Sequence, residues 1–194
     1  MKAIVLLATL KRRGLSNTAT LCEFLVERMW RAGIECETIK LVERRIPPGT
    51  SSDMGRGDEW PRILRKILNA DIVILATPIW WSNQSSLMQR VIERLDELHD
   101  RVMSGKPSGL EGKTAGIVIT GDSDGAQAII GNLCNFLNGV GLLVPPYATL
   151  TVLWEEQAKG KHPTRAALMR KYERDYAETA ERMIQQLVRF LSPA

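Results

Sequence analysis

The chain has 194 residues, of which 44% are hydrophobic and 25% charged, and its formal net charge is +4. These values exclude a disordered chain and allow one domain with a sizeable core, which we expect to span residues 1–194. The positive charge favours anionic ligands, but it is modest and mixed with acids, so nucleic-acid binding is the weakest of the functional readings.

Cysteine usage and hydropathy indicate where the protein works. Cys22, Cys36 and Cys134 lie far apart, a spacing that does not suit a zinc or iron–sulfur site, so we expect no metal. An odd number of scattered thiols is typical of a reducing compartment. The apolar start, residues 3–8, is too short for a signal peptide, and no apolar segment is long enough to span a bilayer. We therefore expect a cytoplasmic protein without membrane contacts.

Five strands are predicted to alternate with five helices. Short apolar runs rich in β-branched residues indicate the strands, and apolar residues at helical spacing indicate the helices. The predicted strands are 3–8, 35–42, 71–76, 114–120 and one between 142 and 153, and the predicted helices are 16–33, 59–69, 85–98, 126–137 and 164–190. Such alternation predicts an α/β fold: a three-layer, doubly wound, five-stranded parallel sheet with helices on both faces.

Three other segments have specific predictions. In the 85–98 helix, Leu87, Val91, Leu95 and Leu98 form the apolar stripe, and Arg94 belongs to the polar remainder. Residues 43–58, rich in proline, glycine and arginine, form an irregular connection that we interpret as a lid or a subunit contact. Residues 154–161 are predicted to be a loop.

Ligands of such sheets bind at the carboxyl ends of the strands, where three polar turns follow the first, third and fourth predicted strands. The first turn offers the Thr9, Ser16 and Thr18 hydroxyls, the Asn17 amide and the Lys11 ammonium at a helix start. Hydroxyls and helix-terminal N–H groups aimed at one point suit a phosphate. The alternative is a solvated basic turn with an N-cap.

The second turn carries two adjacent tryptophans, Trp80 and Trp81, between Pro78 and Asn83. Large aromatic side chains on a loop cover a flat apolar group or bury themselves in a partner. We favour a flat ring system bound along the backbone of residues 79–83. Burial in the core or in a subunit interface is the alternative, particularly for Trp81.

The third turn, residues 120–125, contains two glycines that allow the backbone to approach a ring closely. Asp122 and Asp124 alone are too few ligands for a metal. A plain strand-to-helix connection with an Asp or Ser N-cap is the simpler reading of this turn.

Together these turns resemble those of the NADPH-dependent FMN reductases and flavodoxin-like quinone reductases. Thr9-Leu10-Lys11 and Asn17-Thr18 correspond to the family's phosphate-loop start and helix start, with Thr-Leu in place of the usual Ser-Pro. Residues 78–83 match its Pro-hydrophobic-aromatic-aromatic signature, and 121–125 match its glycine-bearing third loop. The resemblance implies flavodoxin-like strand order 2-1-3-4-5, an FMN cofactor, NADPH or NADH as co-substrate, and a homodimer or homotetramer.

The chemistry of the three turns and the resemblance together assign fifteen residues to FMN. The phosphate-binding residues are Thr9, Lys11, Ser16, Asn17 and Thr18. The ring-binding residues are Pro78, Ile79, Trp80, Trp81, Ser82, Asn83, Thr120, Gly121, Asp122 and Gly125.

The resulting hypothesis is electron transfer from a nicotinamide through FMN to a quinone or another small acceptor, with no assigned catalytic acid or base. Arg44 and Arg45 are candidate contacts for the nicotinamide dinucleotide. A flavodoxin-type carrier without nicotinamide turnover is the main alternative, although such carriers are typically acidic. A doubly wound binding module without flavin is a further alternative.

Overall fold

A parallel five-stranded sheet organises the molecule. The computed structural model of the chain describes residues 1–155 and 162–191, so most of the predicted 154–161 loop lies outside the described residues. The strands are β1 (Lys2–Leu7), β2 (Glu35–Lys40), β3 (Ile72–Trp80), β4 (Asn83–Gln84), β5 (Thr114–Gly121) and β6 (Thr149–Leu153). The helices are α1 (Asn17–Arg31), α2 (Trp60–Leu68), α3 (Ser86–Met103), α4 (Ala126–Gly139) and α5 (Arg165–Arg189), with a short 3-10 helix at Leu41–Glu43.

The predicted topology is confirmed. The parallel strands lie in the order β2-β1-β3-β5-β6, and the short β4 pairs antiparallel with the end of β3. Leaving β4 aside, this is the predicted 2-1-3-4-5 order. The last strand starts only at Thr149, after Pro145 and Pro146, and residues before it contribute a single bridge between Thr114 and Leu143. Proline has no N–H to donate to a β-ladder, so the strand begins only after both prolines.

Helices cover both faces of the sheet, because alternate residues of each strand point to opposite sides. Ile4 and Leu6 of β1 pack with α2, α3 and α4, whereas Val5 and Leu7 pack with α1 and α5. The central strands β1, β3 and β5 are buried on both faces, which explains their continuous apolar runs, whereas the edge strand β2 is largely exposed. None of the helices in the described part of the chain is long and apolar enough to cross a membrane.

Two predictions about α3 were wrong. The helix extends to Met103 rather than ending near Leu98, and Arg94 is fully buried instead of lying on a polar face. Met88, Val91, Leu95 and Leu98 are the buried apolar residues of α3. Arg94 lies three residues after Val91 and four before Leu98, so helical geometry places it on the same stripe.

The buried guanidinium of Arg94 anchors the irregular 43–58 segment. Its nitrogens donate to the carbonyl oxygens of Ser51 at 2.9 Å and Pro47 at 3.1 Å, and to the Asp58 carboxylate at 2.6 Å. Arg90 donates to the carbonyl of Ile46 at 2.9 Å. The long connection is therefore fastened to α3 over much of its length.

Candidate functional site

The three predicted turns meet in one pocket at the carboxyl ends of β1, β3 and β5. Its volume is about 610 Å³, within the size range of small-molecule sites. The pocket is lined by Thr9, Leu10, Lys11, Ser16, Asn17, Thr18, Pro78, Ile79, Trp80, Trp81, Ser82, Thr120, Gly121, Asp122, Ser123 and Asp124. Thirteen of the fifteen predicted site residues are among them.

The remaining two predicted residues, Asn83 and Gly125, belong to the second and third turns but do not line the pocket. The Asn83 amide donates to the carbonyl oxygen of Trp81 at 2.9 Å and so closes the hairpin turn. Leu10, Ser123 and Asp124, which lie in the predicted turns but are not among the fifteen assigned residues, also line the pocket. Assigning every residue of the first and third turns to the site would have included them.

The first turn presents hydroxyl groups at the N-terminus of α1. Ser16 is the N-cap, and its Oγ accepts a hydrogen bond from the Ala19 N–H at 3.2 Å and lies 2.9 Å from Oγ1 of Thr9. The first helical turn contains no acidic residue. A helix N-terminus carries a partial positive charge, and without a competing carboxylate it favours an anion.

Of the cations in the first turn, Lys11 lines the pocket, and its ammonium donates to the carbonyl oxygen of Leu15 at 3.0 Å. The Arg12 guanidinium instead donates to the carbonyl oxygen of Val42 at 3.1 Å, beyond the end of β2. The positive end of the pocket therefore combines one lysine with hydroxyls and a helix N-terminus.

The second turn is a β-hairpin rather than a loop. β3 continues past its predicted end at Ala76 to Trp80, which pairs with Asn83 of β4. Trp81 and Ser82 form the turn with φ values of 49° and 61°. Two-residue hairpin turns need positive φ and favour Asn-Gly, so Trp-Ser gives no hairpin signal in the sequence.

The hairpin holds both tryptophans out of the core. Trp81 is 89% exposed and Trp80 51% exposed. Core burial, one of the two alternatives for this pair, is excluded in this chain. Both side chains lie at the rim of the pocket.

Two glycines let the third turn approach the hairpin closely. A Cβ on Gly121 would lie 2.6 Å from Cδ1 of Ile79, and one on Gly125 would lie 2.6 Å from the Cα of Ser82. Gly125 also has φ of 103°, a conformation that other residues rarely adopt. Glycine at these positions keeps the second and third turns in contact.

Buried hydroxyls join the three turns to one another. Ser85, the N-cap of α3, donates through Oγ to the carbonyl oxygen of Ala8 at 2.7 Å, and its N–H donates to Oγ1 of Thr77 at 2.9 Å. Oγ1 of Thr18 lies 2.6 Å from Oγ1 of Thr120. These contacts fix the relative positions of the strand ends.

The cysteines do not supply a reactive thiolate. Burial raises the pKa of Cys22 and of Cys134, and it raises the pKa of Cys36 to about 11. Protonated thiols are poor nucleophiles at neutral pH. Within residues 1–155 and 162–191, no three His, Cys, Asp or Glu side chains come together as a metal site.

A doubly wound parallel sheet with a ligand-sized pocket at the edge where strand order reverses makes this a flavodoxin-like α/β protein. Residues 1–154 match the family described as NADPH-dependent FMN reductase, and the chain belongs to that family.

Two curated relatives cover 76% of this chain each. The divalent metal cation transporter MntH of Mycobacterium bovis is 35% identical over 153 residues, which make up 22% of its length. The 8-demethyl-8-aminoriboflavin-5'-phosphate synthase of Streptomyces davaonensis is 32% identical over 158 residues, 62% of its length. The chain therefore spans less than two thirds of either relative.

Among solved structures, the chain is similar to RosB with the bound intermediate 8-demethyl-8-formylriboflavin-5'-phosphate. The TM-score is 0.80 at 27% sequence identity, over 98% of this chain and 79% of RosB.

Proposed function

We propose that the chain is an FMN-dependent oxidoreductase that passes electrons from NADPH or NADH to a small acceptor such as a quinone. The observation that carries this proposal is the convergence of the three turns on one pocket of about 610 Å³. Membership in the family described as NADPH-dependent FMN reductase supports it.

The phosphate of FMN would lie at the N-terminus of α1. The buried hydroxyls of Thr9, Ser16 and Thr18, together with Asn17 and Lys11, line that end of the pocket. A phosphate dianion accepts hydrogen bonds only, so donors without a neighbouring carboxylate in the first helical turn suit it.

The flavin ring would lie between the hairpin and the third turn. Pro78 to Ser82 and Thr120 to Asp122 line this end, and the missing side chains of Gly121 and Gly125 bring the two segments together. Trp80 gives the rim an apolar surface for a flat ring. Bound FMN supplies the hydride chemistry, and the residues named here bind and orient it.

The absorption spectrum of the purified protein tests the proposal. Flavin bands, or their appearance on adding FMN, are expected, followed by bleaching with NADPH under anaerobic conditions. A protein that neither contains nor binds flavin would contradict the proposal. Flavin that no nicotinamide reduces would favour the carrier function instead.

A second candidate function is that FMN is a substrate whose ring is modified. The similarity to the Streptomyces davaonensis synthase and to RosB with its bound flavin intermediate favours it. Mass spectrometry of the flavin after incubation with the protein separates the two functions. An unchanged flavin mass after turnover supports the reductase.

We also propose that the chain forms a homodimer or homotetramer in which Trp81 contacts a neighbouring subunit. A tryptophan that is 89% exposed at a hairpin tip supports this arrangement. Light scattering after size-exclusion chromatography of the wild type and of Trp81→Ala tests it. A wild-type monomer would contradict the proposed assembly.

A further inference from the structure

A buried hydroxyl pair connects the first and third turns. Thr18 lies in the first turn of α1, and Thr120 lies at the end of β5, 102 positions later. Their Oγ1 atoms are 2.6 Å apart, and the two residues are 2% and 5% exposed. Both line the pocket, so the contact joins the proposed phosphate end to the proposed ring end.

The chemistry of hydroxyl groups constrains how this pair works. Each threonine hydroxyl has one proton to donate and two lone pairs to accept. Within the pair one hydroxyl donates and the other accepts, and the geometry permits either direction. A phosphate dianion has acceptors only. A phosphate at the start of α1 therefore selects the direction in which Thr120 donates to Thr18, because this leaves the Thr18 proton for the phosphate.

We propose that Thr120 is a positioning residue for the FMN phosphate: it acts through Thr18, whose hydroxyl it holds and orients toward the anion. The inference rests on the proposed binding of FMN. Burial strengthens the arrangement, since water is kept from the two hydroxyls and hydrogen bonds in series polarise one another. Thr120 would thus contribute to phosphate recognition even though it lies at the end of β5, which is assigned to the flavin ring.

Comparing FMN with riboflavin isolates this role, because riboflavin lacks the phosphate. Dissociation constants of both ligands are measured by quenching of flavin fluorescence for the wild type and for Thr120→Val, which replaces the hydroxyl with a methyl group of similar size. We expect Thr120→Val to weaken FMN binding about fivefold, the effect of one hydrogen bond, and to change riboflavin binding less than about twofold. Thr120→Ser, which keeps a hydroxyl, is expected to retain the wild-type preference for FMN.

Thr114→Val is the matched control. Thr114 lies on the same strand and is also buried, but its hydroxyl donates to the carbonyl oxygen of Leu187 at 2.9 Å, at the opposite end of β5. This variant is expected to lower the melting temperature while leaving the ratio of FMN to riboflavin affinity unchanged. Comparing the two valine variants thus separates loss of a buried hydrogen bond from loss of phosphate recognition.

A double-mutant cycle with Thr18→Val tests whether Thr120 acts through Thr18. The double variant is expected to bind FMN no more weakly than Thr18→Val alone, because the second hydroxyl has nothing left to orient. Additive losses in the cycle, or an unchanged ratio of FMN to riboflavin affinity in Thr120→Val, would each overturn the inference. Failure of the wild type to bind either flavin would overturn the proposed function, and this inference with it.

Discussion

Arg94 and Asp58 form an ion pair at 2.6 Å in which both side chains are fully buried. The pair joins the middle of α3 to the end of the irregular 43–58 segment. Two further hydrogen bonds from Arg94 to backbone carbonyls of that segment satisfy the guanidinium away from water. A segment that could have been a freely moving lid is thereby fixed to the body of the protein.

Removing Arg94 should destabilise the fold strongly. Arg94→Ala leaves the buried Asp58 carboxylate without its ion-pair partner and the carbonyl oxygens of Pro47 and Ser51 without their side-chain donor. Losing one member of a buried pair costs about 3–5 kcal/mol. The free energy of unfolding in urea measures the effect. Arg31→Ala is the control, because Arg31 contacts Glu27 at 3.9 Å with both side chains largely exposed. That change should cost less than about 1 kcal/mol. Similar losses for the two variants would contradict the anchoring role.

The same segment should make stability sensitive to acid. Burial alone raises the pKa of Asp58, but hydrogen bonds from the Arg94 side chain and from the Met54 and Trp60 backbone outweigh it and lower this pKa below the usual value. The backbone N–H of Ser52 likewise lowers the pKa of Glu97. A carboxyl whose pKa is lower in the folded state stabilises that state above its unfolded pKa, and this contribution is lost as the pH falls through the folded pKa.

The free energy of unfolding should therefore decrease as the pH falls below about 4, near the unfolded pKa of these carboxyls. Asp58→Asn, which has no carboxyl to titrate, should be less stable at neutral pH and should show a smaller decrease. Urea unfolding across this pH range measures both. Parallel curves for the variant and the wild type would show that Asp58 does not contribute.

Alanine at two glycines should have opposite effects. Gly125→Ala places a Cβ within 2.6 Å of the Ser82 backbone at a φ of 103°, so it should destabilise the protein and weaken FMN binding by separating the hairpin from the third turn. Gly131→Ala, in the exposed middle of α4 with nothing within 4 Å, should stabilise by about 1 kcal/mol. Thermal unfolding and FMN titration of both variants check the prediction, which fails if Gly125→Ala retains wild-type stability and affinity.

Trp80 should contribute to FMN binding without contributing to folding. Because it is half exposed at the pocket rim, Trp80→Ala should weaken FMN binding about fivefold, the size of one aromatic contact, with little change in melting temperature. Trp30→Ala is the control, since Trp30 is 62% exposed on α1 and does not line the pocket. Equal FMN affinity in the two variants would remove Trp80 from the proposed site.

Many residues of the site could be predicted because their positions depend on short stretches of the sequence. Ser16 precedes an apolar pattern at helical spacing and is therefore an N-cap, and a polar turn after each buried strand must lie at one edge of a parallel sheet. The family, the fold class and the strand order followed from these patterns together with the resemblance of the turns, and all three are confirmed.

The hairpin could not be predicted because nothing local requires it. Trp81 and Ser82 adopt positive φ even though neither residue favours it. The contact of Ser82 with Gly125, more than forty positions later, appears only when the second and third turns are placed side by side.

The sequence by itself determined the alternation of strands and helices, the class of sheet and the turns that meet at its edge. Hydrophobic periodicity and turn chemistry act over a few residues, so they can be read along the chain. Only the tertiary structure decided that Arg94 is an internal anchor and that Thr18 meets Thr120. Whether a polar side chain is buried depends on the partners that distant segments bring to it, and those partners exist only once the sheet is assembled.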